Sequence, residues 1–253
     1  MAQMAEPVTL PYKYTREEFC REVFDYKPGE HVVFAGPTQR GKTTLAFNLL
    51  QYCADKDCPA YVAVSKPRDP TTAKWAAKLD YRIVREWPPG PSLKHAFAEK
   101  PAGYVIWPKF GDIETDVNNC ALITAALIND RYTQGVNGHK GILMLDDTVT
   151  KSKVFRLDRE MTTVIVMAGA MDLGAWIFVQ KPTGGGDAAL WSYGNSEHVF
   201  LFPDPDRRNR ERYDEIGGVD PKYVQEIAQE KYLKPYECIY IKRTGGLMCI
   251  VGS

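Results

Sequence analysis

The chain has 253 residues, with 32 basic and 32 acidic side chains, a net charge of zero and 44% hydrophobic residues. That length buries a substantial core and fits one α/β domain with additions. Zero net charge excludes wholesale electrostatic coating of nucleic acid, so any basic surface must be local. The six cysteines, Cys20, Cys53, Cys58, Cys120, Cys238 and Cys249, lack metal-ligand spacing, which predicts reduced core thiols in a cytosolic protein. The four histidines, His31, His95, His139 and His198, form no ligand spacing either.

The first residues include Glu6 and no basic-then-apolar run, so no signal peptide is expected. Thr15 and Glu18 match a capping box and predict a short helix over residues 16–24. Residues 31–35 form a β-branched apolar run suited to a buried strand. Directly after it, Gly36-Pro37-Thr38-Gln39-Arg40-Gly41-Lys42-Thr43 completes the pattern G-x-x-x-x-G-K-[ST]. Thr44 then opens a helix whose apolar face carries Leu45, Ala46, Leu49, Leu50 and Cys53. Strand, glycine loop and helix in that order predict a nucleoside triphosphate site. The glycines let backbone N–H groups surround phosphate oxygens, and the helix N-terminus adds partial positive charge. Lys42 is expected to reach the β- and γ-phosphates and to be solvated without them, while Thr43 offers a hydroxyl to Mg²⁺.

Further strands are expected at residues 60–64 and 103–107, and helices at 72–79 and 116–132. Residues 87–91 (Trp-Pro-Pro-Gly-Pro) read as a surface turn. Residues 162–179 are nearly all apolar, but Asp172, Gly169 and Gly174 argue against a membrane span. The run splits better into a helix end and a strand over 175–179. Alternating strands and helices without a repeat predict an α/β fold with a mainly parallel sheet covered by helices on both faces.

Residues 142–145 are apolar and end in Asp146 and Asp147. The carboxyl ends of parallel strands line the ligand crevice, so Asp146 is placed to hold Mg²⁺ with Thr43, and Asp147 to orient or deprotonate water. The next strand ends in Gln180, positioned to sense the γ-phosphate or hold that water.

This ordered set, with Val179-Gln180-Lys181-Pro182, resembles the FtsK/HerA branch of the additional-strand P-loop ATPases, which includes genome-packaging ATPases of bacteriophages and other DNA viruses. The resemblance covers about residues 28–250. It extends to a tail in which Tyr213-Asp214-Glu215-Ile216-Gly217-Gly218 precedes a helix begun by Pro221, followed by a hairpin over 233–251. It implies an arm over 1–27, an ATPase core over 28–203 and a C-terminal extension of the same domain over 204–253. It implies ATP and Mg²⁺ as cofactors and double-stranded DNA as the moved partner. It also implies a homo-oligomeric ring of roughly five or six copies docked on a viral portal or capsid vertex in the host cytoplasm, without membrane insertion.

Two departures stand out. The branch usually carries Glu where this chain has Asp147, which draws the carboxylate back by about 1.5 Å. Many relatives also carry an arginine shortly before the glutamine strand, where this chain has Ala170-Met171-Asp172. An arginine finger must then come from elsewhere. Candidates are Arg156 and Arg159, on an expected helix leaving Asp147, and Arg207 and Arg208, which cluster with Arg210 and Arg212. These groups, with Lys151 and Lys153, are alternatively DNA-phosphate contacts. Tyr12, Tyr14 and Tyr26 are candidates for stacking on adenine. Two other functions fit the same motifs: a nucleotide or nucleoside kinase, with residues 207–212 as an arginine-rich lid, and a weakly hydrolysing assembly switch.

Overall fold

The computed structural model describes residues 8–90, 99–181 and 186–253. A short strand β1 (Lys13–Tyr14) leads to α1 (Arg16–Glu18), capped by Thr15 in the expected box, and then to a π-helical turn over Phe19–Val23. The nucleotide-loop unit is β2 (Val32–Ala35) and α2 (Lys42–Cys53). It is followed by β3 (Ala60–Ala63), α3 (Pro70–Lys78), β4 (Arg82–Val84) and β5 (Gly103–Ile106). The long α4 (Ile113–Val136) precedes β6 (Gly141–Leu145), α5 (Asp158–Met167) and β7 (Leu173–Val179). The remainder is α6 (Gly186–Asn195), β8 (His198–Leu201), α7 (Arg207–Glu211), α8 (Pro221–Ile227) and the hairpin β9 (Cys238–Lys242) with β10 (Leu247–Val251).

The ten strands among the described residues form one sheet in the order β1-β10-β9-β8-β2-β7-β6-β3-β5-β4. The strands from β8 to β4 run parallel, while β9 is antiparallel to both β8 and β10. The expected mainly parallel α/β sheet is therefore present, as is the C-terminal hairpin. β7 lies between the phosphate-loop strand β2 and the acidic strand β6, hydrogen-bonded to both.

Alternation along the strands builds two cores. Val33 and Ala35 face one side, with Leu127, Ile128, Met161, Ile165, Ala188 and Tyr193 from α4, α5 and α6. Val32 and Phe34 face the other, with Leu45, Leu49 and Leu50 of α2, Trp75 of α3 and Phe19 of the N-terminal turn. Both faces of the central strands are covered, which is why they read as continuous apolar runs. The apolar stretch over 162–179 resolves into α5, a 3₁₀ turn over Ala168–Met171 and the fully buried β7. Among the described residues, no helix is long and apolar enough to cross a membrane. Five cysteines are buried and Cys53 is partly so; none is in a disulfide.

Candidate nucleotide site

The order β2-β7-β6-β3 brings four strand ends to one edge of the sheet: the loop from Gly36, Gln180, the Asp146–Asp147 pair, and Ser65–Lys66. A cleft of about 390 Å³ lies there, lined by Thr38, Gln39, Gly41, Lys42, Thr43, Thr44, Lys66, Thr71, Asp146, Asp147, Phe178, Gln180 and Tyr236. The structure thus unites the glycine loop, both aspartates and the glutamine, which lie up to 144 residues apart between Gly36 and Gln180.

Two glycines shape the loop. Gly36 has φ +140°, and a Cβ there would stand 2.8 Å from Phe202 Cβ; its N–H donates to Val179 O at 3.0 Å. Gly41 has φ +89° and packs against the Tyr236 ring, so its missing Cβ lets that tyrosine close over the start of α2. Arg40 forms an ion pair with Glu230, fastening the loop to the C-terminal segment. Pro37 contributes its carbonyl to the Lys42 ammonium.

Lys42 is buried, with only 7% of its surface exposed, and also donates to Gly36 O at 2.7 Å. The expectation of a solvated ammonium is therefore corrected. The loop carbonyls hold it inside the turn, where burial, and next the neighbouring Lys66, draw its pKa down to about 7.

Asp146 is also buried, and its partner was not foreseen. Lys151, with no exposed surface, sends its ammonium to Asp146 Oδ1 at 2.6 Å, Asp146 O at 2.5 Å, Ala63 O at 3.2 Å and Ser65 Oγ. Lys151 is therefore no DNA-phosphate contact: it is locked beneath the acidic strand by four acceptors. Lys153 is exposed.

Asp147 has φ +47°. Aspartate tolerates this left-handed backbone better than most residues, and here Oδ1 accepts Thr150 N–H at 3.3 Å. The chain turns at this residue, which brings the shorter carboxylate into the cleft wall with Lys42 and Gln180.

The arginine candidates lie elsewhere. Arg156 and Arg159 are exposed, the first at φ +58° beyond a π-helical turn over Thr150–Val154, the second on α5. Arg207 and Arg208 are exposed on α7, paired with Glu211 and Asp206. None of the four lines the cleft, and neither do Arg210 and Arg212, so the 207–212 segment forms no lid over it. Tyr26 is stacked in the core beside Trp176 and Phe24, while Tyr12 and Tyr14 pack edge to face at 4.7 Å. The tyrosine that reaches the cleft is Tyr236, half-exposed at φ +69°, with Arg16 donating to its carbonyl at 3.1 Å. Among the described residues no His, Cys, Asp or Glu cluster has metal-binding geometry, so a cation at this site would rest on Thr43, Asp146 and phosphate oxygens.

Strand order, glycine loop and paired acidic strand end define a P-loop NTPase fold. Among solved structures, the chain is similar to B204, the DNA-packaging ATPase of Sulfolobus turreted icosahedral virus: 15% identity, 89% of this chain, 98% of that one, TM-score 0.57. The genome-packaging NTPase B204 of Sulfolobus turreted icosahedral virus 2, in complex with ATP-γ-S, matches at 14% identity over 89% and 98% of the two chains, TM-score 0.55. EssC ATPases 2 and 3 of Geobacillus thermodenitrificans match at 8% identity over 90% of this chain and 40% of theirs, TM-score 0.56. No protein-family model and no curated protein sequence matches the chain.

Proposed function

We propose that the protein is an ATPase that moves double-stranded DNA, working as a homo-oligomeric ring in viral genome packaging. The observation that carries the ATPase reading is the convergence of Lys42, Thr43, Asp146, Asp147 and Gln180 on one cleft at the carboxyl edge of the sheet. The fold shared with two viral packaging ATPases over nearly their whole length supports the DNA-moving role.

The residues present suit a magnesium triphosphate: a cradle a Cβ would fill at Gly36, a lysine already turned into the loop, and a hydroxyl and carboxylate for the cation. Bound ATP·Mg²⁺ would supply the phosphoanhydride and its charge neutralisation. Lys42 would exchange its loop carbonyls for phosphate oxygens, and Gln180 and Asp147 would hold the attacking water, Asp147 accepting its proton. One of Arg156, Arg159, Arg207 or Arg208 reaches the site of a neighbouring copy. Their exposure, and their absence from the lining of their own cleft, support that role.

The deciding experiment is steady-state ATP hydrolysis with and without duplex DNA, beside a panel of nucleoside and nucleotide acceptors. Stimulation by DNA and none by acceptors supports the motor. Phosphate transfer to an acceptor would establish a kinase, and ATP binding without turnover a switch.

A further inference from the structure

β3 ends at Ala63 and hands over to Val64-Ser65-Lys66. Three hydrogen bonds fix this turn. Ser65 Oγ donates to Asp146 Oδ1 at 3.3 Å and receives the Lys151 ammonium. On the other side, the Trp107 indole N–H donates to Lys66 O at 2.8 Å. The Lys66 backbone is therefore anchored from both neighbouring strands, β6 and β5, while its side chain lines the cleft.

The Lys66 ammonium stands 4.0 Å from Asp146 Oδ2, with the side chain 44% exposed. That separation is too long for a hydrogen bond, so its three donors are not committed to the carboxylate. Lys42 lines the same cleft, so two lysine side chains flank one acidic strand end. Among the described residues, no arginine other than Arg40, which is engaged by Glu230, belongs to the phosphate loop, and none lines the cleft.

We propose that Lys66 is the within-chain cation on the terminal phosphate, binding it in the ground state and more strongly as charge builds during hydrolysis. This rests on the ATPase reading and names the residue that carries out part of it. In that step the water oxygen bonds to the γ-phosphorus and the bond from phosphorus to the bridging oxygen breaks. Its electron pair leaves with ADP, and the water proton passes to Asp147 and then to the phosphate product. The negative charge spread over the γ-oxygens is what Lys66 opposes.

The test compares the parent with Lys66→Ala and Lys66→Arg, using ADP, ATP-γ-S and ADP with aluminium fluoride as probes, each with Mg²⁺. The expected result is ADP affinity within about twofold of the parent, affinity for the other two lowered about tenfold or more, and kcat lowered about 10²-fold for the alanine variant. The arginine variant should recover most of both losses. Lys66→Ala mixed with Lys42→Ala subunits should show no recovered turnover, because both groups serve the same site. Equal ADP to ATP-γ-S affinity ratios in parent and Lys66→Ala overturn the inference, even with the ATPase reading intact. Recovered turnover in the mixture would overturn its within-chain geometry. A parent that binds none of the probes would overturn the ATPase reading itself, and this inference with it. The thermal midpoint of each variant separates loss of the charge from loss of the fold.

Discussion

The ammonium of Lys151 lies 2.6 Å from the carboxylate of Asp146, with neither side chain more than 10% exposed. The acidic residue assigned to the metal thus already carries a buried positive partner from its own strand-end turn. Such a pair orients the carboxylate where solvent would otherwise be needed.

Lys151→Met should destabilise the protein by about 3–5 kcal/mol, because it strands a buried carboxylate. Asp146→Asn should be milder, since Lys151 keeps Ala63 O, Asp146 O and Ser65 Oγ. The double variant should be more stable than Lys151→Met alone. Denaturant unfolding of the four proteins closes the cycle; additive losses would show that the two groups do not interact.

The pKa of Lys42, held near 7 by burial against an ordinary 10.5, couples nucleotide binding to protons. Below pH 7 the lysine is charged folded or unfolded. Between about 7 and 10.5 the unfolded chain holds a proton that the folded chain lacks, so this residue's contribution to stability rises with pH across that window. Phosphate restores the charge, so ATP binding at pH 8 should take up close to one proton. Calorimetry in two buffers of different ionisation heat measures it, and the uptake should vanish in Lys42→Ala.

Asp147→Asn should bind ATP·Mg²⁺ like the parent and lose hydrolysis by about 10²–10⁴-fold. Asp146→Asn should instead weaken Mg²⁺-dependent binding. Asp147→Glu lengthens the side chain at a residue with φ +47° and is expected to lower stability by about 1 kcal/mol. Equal binding and turnover in all three would show that these carboxylates do not serve metal and water.

Alanine at the one acting residue among Arg156, Arg159, Arg207 and Arg208 should stop turnover yet leave that subunit's own nucleotide site intact. Mixed with Lys42→Ala subunits, it should regain part of the activity at boundaries where an intact site meets an intact arginine. The gain should be large, because such a finger is worth about 10³-fold or more. Co-assembled mixtures that stay inactive for all four arginines would remove the trans role.

The glycine loop, the acidic strand end and Gln180 were legible because each is a local pattern at a strand terminus, and parallel topology then gathers such termini. β4 and β8 were not, being three and four residues long with no alternation to mark them. Lys151 reads as a surface cation because a lysine is solvated by default, and nothing within a turn of it shows that four acceptors converge there. Lys66 and Tyr236 enter the cleft through strand order and through the turn before β9, neither of which leaves a mark in the adjacent residues.

The two strands that end the sheet, β1 and β4, are two and three residues long. An exposed ladder that brief offers a second chain little to pair with, and Arg82 of β4 adds a charge there. Among the described residues, neither edge therefore offers a ladder long enough to extend the sheet from one molecule into the next. In the proposed ring, contacts between copies would run instead through loops and helix faces.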